Sequence, residues 1–169
     1  MRITLEELEL HPIVVSKTYS PGALDYHGAE FRQTSPLQVK AVAELRGVEI
    51  RLHGHLGTSL EASCDRCLGS VVIPVESDFD LSYRPVSTMP RAEEVELPLD
   101  ELEVGFFSGD GIEFDDAVTE QVILSVPMKV ICNADCRGLC PVCGSNLNVE
   151  KCGCLHTAEI SPFSSLKKS

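Results

Sequence analysis

"LQVKAVAELRGVEIRLHGHL", residues 37–56, decides how this chain folds. Apolar residues recur with period two: Leu37, Val39, Ala41, Ala43 and Leu45 fall on one face, with Gln38, Lys40, Glu44 and Arg46 on the other. After Arg46-Gly47 the alternation resumes in Val48, Ile50, Leu52 and Leu56, set against Glu49, Arg51, His53 and His55. Successive side chains of a strand point to opposite faces, so each half is a strand with one buried face. The break at Arg46-Gly47 is the reversal of a β-hairpin.

The pattern extends outward from this hairpin. Residues 57–63 continue its second strand towards Cys64. Val71, Ile73, Val75, Phe79, Leu81 and Tyr83 mark another long half-buried strand, in which Pro74 calls for an edge position or a place among the first few residues. Upstream, Thr4 followed by Glu7 forms a capping box, which predicts a helix over 5–10 that stops before Pro12. Residues 13–36 read as loop with a short edge strand, because of Pro21-Gly22, His27-Gly28 and Ser35-Pro36. Downstream, "EEVELPLD" and "GIEFDD" predict short extended pieces joined by a turn at Ser108–Gly111. Asp116 is positioned to cap a helix over 117–126, carrying Val118, Val122, Ile123 and Val126 at helical spacing and ended by Pro127. The expected class is α+β: a meandering antiparallel β-sheet with one packed helix, followed by a C-terminal cysteine-rich zinc-binding tail. The main domain is read as 1–130, with an acidic segment at 93–120, and the tail as 131–169.

Charge is unevenly placed. Of 26 acidic residues, eleven lie between Glu93 and Glu120 with no Lys or Arg among them; the remaining fifteen face all fourteen bases. Such a stretch reads either as a solvated loop or as an acidic arm for a basic protein or another cation-rich surface. The start, "MRITLEELEL", has three glutamates where a secretory signal needs an apolar run. No stretch of about 18 apolar residues occurs, as a spanning helix would require. The expected location is cytoplasmic, where thiols stay reduced, so eight cysteines are read as ligands or redox centres rather than staples.

All eight fall in close pairs: Cys64/Cys67, Cys132/Cys136, Cys140/Cys143 and Cys152/Cys154. Pairs at this spacing let two thiolates from one turn reach a single ion. "CPVCG" has the form of a zinc knuckle, with Gly144 able to take the positive φ that follows. In "CDRCL" Leu68 occupies that place. Disulfides need an oxidising compartment that nothing supports. A rubredoxin-like iron site wants shielding aromatics, and none lies between Cys132 and His156. Catalytic zinc wants an open position, and with an all-thiolate supply His156 is superfluous. Closed, structural zinc is therefore expected: two sites of four cysteines each, or at least one such site. A local grouping would join Cys132, Cys136, Cys140 and Cys143. A crossed grouping would join Cys64 and Cys67 to Cys132 and Cys136, leaving Cys140, Cys143, Cys152 and Cys154 as a compact finger. The crossed grouping is favoured by the closeness of Cys132 to the helix, although spacing alone does not decide it.

No other constellation carries chemistry. His53 and His55 read as surface residues, the serines lack a His/Asp partner motif, and "SGDG" would repel phosphate; an enzyme is not expected, nor a small-molecule substrate. Lys129, Arg137, Lys151, Lys167 and Lys168 either offset the charge of about −2 on each zinc–thiolate centre or contact RNA or a partner.

These residues resemble the YceD family. "CDRCLGSV" after a hairpin, "EQVILSVPMKVIC", "DCRGLCPVCGSNLNVEKCGC" and the ending "ISPFSSLKK" follow the family's order, with Ser161-Pro162-Phe163 where Asp-Pro-Arg is common. The resemblance implies a non-enzymatic ribosome-biogenesis factor supporting 23S rRNA accumulation, processing and large-subunit assembly. Its partners would be 23S rRNA or its precursor and/or a large-subunit ribosomal protein, with no membrane involved. From the residues alone, a thiol/zinc redox-sensing chaperone and a protein–protein adaptor without RNA contact remain the alternatives.

Overall fold

The computed structural model describes residues 1–88 and 104–154. The chain forms two compact units: Met1–Ala62 with Val72–Met128, and Ser63–Val71 with the chain from Lys129 onward. The predicted tail thus shares its unit with the first cysteine pair, which the sequence reading assigns to the main domain.

Along the chain, β1 (Arg2–Thr4) leads into α1 (Leu5–Leu10), then come β2 (Ile13–Tyr19), β3 (Phe31–Gln33), β4 (Leu37–Arg46), β5 (Glu49–Ser63) and β6 (Ser70–Pro85). A 3-10 turn at Val86–Thr88 precedes β7 (Val104–Phe107), β8 (Gly111–Glu113) and α2 (Phe114–Leu124). One sheet has six strands, in the order β2-β4-β5-β6-β7 with β3 beside β5, and β1 pairs with β8 in a second sheet.

The hairpin forms as its alternation requires. β4 and β5 pair antiparallel from Gln38↔Gly57 to Arg46↔Glu49, which leaves Gly47-Val48 as the turn, so Val48, read as the first apolar residue of the second strand, is exposed in the reversal instead. Leu37, Val39, Ala41, Ala43, Ile50, Leu52, Leu56 and Leu60 are all buried and share one core with Val75, Phe79, Phe114, Val118 and Val122. Burying each large aliphatic side chain contributes about 1.5–3 kcal/mol against the entropy of ordering the chain. The capping box is present at Thr4 and Glu7, and α1 gives Leu8 to the core. Pro74 is the fifth residue of β6, well before Ser82–Pro85, where β6 meets β7. A proline there withholds no hydrogen from that second neighbour.

Four expectations change. The short edge strand of 13–36 is a seven-residue strand, β2, paired along its whole length with β4, and β3 is a further strand. Val15 and Tyr19 point inward at period two, and the turn residues begin only after Tyr19. The sheet is antiparallel along β2, β4 and β5, but β7 lies parallel to β6. A parallel neighbour needs a long crossover, and the chain over 86–103 is long enough to supply it. Helix α2 starts at Phe114, so Asp116 lies in its first turn and is not its cap. Phe114 is fully buried, and apolar burial set the start where capping chemistry did not. Lastly, the acidic segment is not one solvated arm. Its part from Val104 to Glu120 is folded, with Phe107, Ile112, Phe114 and Ala117 in the core. Residues 93–103 lie outside the described residues. No helix among the described residues is long and apolar enough to cross a membrane.

Candidate metal centres

Two turns of the second unit have the same backbone. In Cys64–Gly69, the Leu68 amide donates to the Cys64 carbonyl at 2.9 Å and the Cys64 amide donates to the Gly69 carbonyl at 2.8 Å. In Cys140–Ser145, the Gly144 amide donates to the Cys140 carbonyl at 2.9 Å and the Cys140 amide to the Ser145 carbonyl at 2.8 Å. Each is a knuckle that presents two sulfurs from one tight turn. The position after the second cysteine has positive φ in both, 74° at Gly144 and 59° at Leu68.

The rest of the unit is arranged around the first knuckle. The Asp65 amide donates to the Val130 carbonyl at 2.8 Å, and the Val130 amide donates back to Asp65 Oδ2 at 2.7 Å. This clamp brings Cys132 to the knuckle. The Leu139 amide donates to the Arg66 carbonyl at 3.0 Å, and the Arg66 guanidinium donates to the Cys136 carbonyl at 3.0 Å. Gly138 runs so close to this knuckle that a Cβ would lie 2.9 Å from the Arg66 carbonyl oxygen.

The eight sulfurs gather into two tetrads, Cys64, Cys67, Cys132 and Cys136, and Cys140, Cys143, Cys152 and Cys154, each with its sulfurs within 4.8 Å of one another. This is the crossed grouping. No disulfide joins them: all eight cysteines are free, and Cys64–Cys136 and Cys67–Cys132 are separated by 3.9 and 3.8 Å. A tetrahedron of thiolates around an ion with bonds of about 2.3 Å has edges of about 3.8 Å. The first tetrad therefore has the dimensions of a four-coordinate thiolate site, and both tetrads could hold a metal ion. The first is the deeper, with Cys64, Cys67 and Cys136 buried beside Val71, Ile131 and Leu139. In the second, Cys140 is buried and Cys143 exposed.

Hydrogen bonds to sulfur come from groups that spacing did not single out. The Cys132 amide lies 3.4 Å from Cys64 Sγ, Asn148 Nδ2 3.3 Å from Cys136 Sγ, and Asn133 Nδ2 3.5 Å from Cys132 Sγ. Around the second tetrad the Val142 amide lies 3.4 Å from Cys140 Sγ and the Ser145 hydroxyl 3.3 Å from Cys143 Sγ. The sequence signal for the side-chain partners is the Asn of "CNADC" and the Asn and Ser of "GSNLN", which reads equally as turn chemistry.

Four thiols this close cannot all ionise without a cation, so they divide the charge. The Arg66 backbone amide pulls Cys64 down to about 6, and the Ser145 hydroxyl pulls Cys143 down to about 6. Cys132, hydrogen-bonded to Cys136, is pushed up to about 12, as is Cys154, hydrogen-bonded to Cys143. A divalent ion would draw off the remaining protons, so metal uptake would release acid.

Of the predicted contact residues, Lys129, Arg137 and Lys151 are exposed in this unit; Lys167, Lys168 and His156 lie outside the described residues. His55 is held by Asp78 at 2.7 Å and Glu76 at 2.8 Å, which raise its pKa, and it belongs to neither tetrad.

The chain is similar to the "Large ribosomal RNA subunit accumulation protein YCED homolog 1, chloroplastic" of Arabidopsis thaliana, 25% identical over 74% of this chain and 46% of the relative. It is likewise similar to the Zea mays protein of that name, 26% identical over 79% of this chain and 53% of the relative. An uncharacterized protein of Mycobacterium tuberculosis is 26% identical over 84% of this chain and 64% of its own length. The chain thus spans about half the length of the plant relatives. No solved structure matches. Residues 52–168, which include all eight cysteines, match the family described as "Large ribosomal RNA subunit accumulation protein YceD", and the chain belongs to the YceD family.

Proposed function

We propose that this protein is a non-enzymatic factor of large-subunit ribosome biogenesis that acts in the cytoplasm. It supports 23S rRNA accumulation or processing, and its second unit is folded around two structural zinc ions. The observation that carries the reading is that the family match spans both cysteine tetrads. The closed, all-sulfur donor sets suit zinc in a structural role, because no ligand position is left for water or substrate. Zinc would supply the cohesion that a small apolar cluster of Val71, Ile131 and Leu139 lacks. Cys64, Cys67, Cys132 and Cys136 would hold one ion, and Cys140, Cys143, Cys152 and Cys154 the other.

Lys129, Arg137 and Lys151 would meet RNA or a large-subunit ribosomal protein, with Lys167 and Lys168 contributing from the C-terminal segment. Metal-braced turns hold such side chains in fixed places, which favours binding at a defined site over loose attraction to bulk RNA. The test is ultraviolet crosslinking of the tagged protein in growing cells, followed by sequencing of the bound RNA. A narrow peak on 23S precursor RNA that Cys140→Ser abolishes is the expected result. A flat profile from a folded, expressed protein would overturn RNA contact, and finding no zinc in the purified chain would overturn the metal reading.

A further inference from the structure

The loop between the two cysteine pairs of the second tetrad does not stay within its own finger. Asn146 forms an isolated antiparallel bridge with Leu139, and the Leu147 amide donates to the Gly138 carbonyl at 2.9 Å. The loop is thereby laid along residues 137–139, the only chain between Cys136 of the first tetrad and Cys140 of the second. Asn148 is the point of contact. Its Oδ1 accepts from the Arg137 amide at 2.8 Å, and its Nδ2 donates to Cys136 Sγ at 3.3 Å. The same Nδ2 also reaches Asn146 Oδ1 at 3.0 Å, and the Asn148 amide donates to that oxygen at 2.9 Å. A residue between two ligand pairs of one site is therefore hydrogen-bonded to a ligand of the other.

We infer that Asn148 couples the two metal centres: closing the second tetrad around its ion fixes the loop that delivers a hydrogen-bond donor to Cys136, so loading of the outer site tightens the inner one. This rests on the zinc reading above. The physical basis is twofold. A donor aimed at a ligating thiolate stabilises its charge and orientation, and losing such a partner weakens metal binding by about 10–100-fold. That donor is in place only while its loop is ordered, and the loop is closed at both ends by ligands of the second ion, Cys143 and Cys152. Linkage then makes the effect mutual, so that the inner ion also favours the outer one. Asn148 is a positioning residue here, since it acts through Cys136.

The test uses the full chain loaded with cadmium-113, which gives one NMR resonance per thiolate site, assigned with Cys64→Ser and Cys143→Ser. Asn148→Leu keeps the branched side-chain shape and removes both the donor to Cys136 and the acceptor for the Arg137 amide. We expect it to shift the inner-site resonance, leave the outer one in place, and lower inner-site affinity about ten-fold in chelator competition. Cys143→Ser, which opens the outer site, should weaken the inner site similarly, and adding Asn148→Leu to it should cost little more. An outer-site resonance that stays in place shows that the unit is still folded in Asn148→Leu, and Asn148→Gln, which restores a donor, should recover part of the loss. Two bound ions with an unmoved inner resonance and unchanged affinity in Asn148→Leu would overturn the coupling alone. A wild-type chain that takes up no cadmium or zinc would overturn the metal reading, and the coupling with it.

Discussion

Leu68 and Gly144 hold the same position in two equivalent knuckles, and both have positive φ, 59° and 74°. Glycine takes this conformation freely, whereas for leucine its Cβ makes it costly. Leu68 gains little in return, being 66% exposed. Leu68→Gly should therefore stabilise the second unit by about 1 kcal/mol, and Gly144→Leu should destabilise it by a similar amount. Chelator titrations of the metal-loaded variants would check this. A Leu68→Gly protein that loses its metal more readily than wild type would refute the strain argument.

Metal removal should unfold the second unit and spare the first. The two have separate apolar clusters, and among the described residues the second packs Val71, Ile131 and Leu139 around its buried sulfurs. A unit folded around structural zinc, as proposed, would lose its folding free energy with its ion. Hydrogen exchange after chelation should show Leu139 and Cys140 amides losing protection while Ala41 and Leu52 in the hairpin keep theirs. Loss of protection in both places would mean the sheet depends on the metal as well.

Asp115 should link stability to acid pH. Burial opposes its charge, but Lys17 at 2.8 Å, Tyr19 at 2.5 Å and the Met1 nitrogen at 2.9 Å outweigh it and hold its pKa at about 2. The folded value lies below the ordinary carboxylate value of 3.8, so the stabilisation is present above about pH 4 and lost as pH falls towards 2. Discounted for solvent screening, it amounts to about 1 kcal/mol. Asp115→Asn should lower stability by that amount at pH 7 and by much less at pH 2, as read from urea unfolding. An equal loss at both would assign the effect to packing.

The start of α2 can be tested by paired substitutions. Phe114 is fully buried, and Phe114→Ala should cost about 3–5 kcal/mol. Asp116 lies in the first turn and makes no cap, so Asp116→Ala should cost only about 0.5 kcal/mol, through the helix dipole. A loss of about 1–2 kcal/mol at Asp116 would mark it as a cap after all.

Much of this was legible residue by residue. The period-two run of 37–56 predicts the hairpin, Thr4 and Glu7 predict α1, and "CPVCG" predicts a turn whose Gly144 takes positive φ. Each is a local statement, in which a residue's role follows from neighbours within a strand's alternation or a single turn. Asn148 was not legible, because its partner sulfur depends on where a loop is laid and not on its flanking residues.

Adjacent letters specify the alternating strands, the two knuckles and eight thiols in four close pairs, because hydrophobic period, turn chemistry and ligand spacing are local. Which pairs meet, that β7 runs parallel to β6, that Phe114 opens α2, and that the acidic stretch from Val104 onward is folded were settled by packing in three dimensions. These depend on chain crossing and on competition for burial between distant segments: Cys64 and Cys136 stand 72 residues apart yet 3.9 Å from sulfur to sulfur, a proximity that no local pattern encodes.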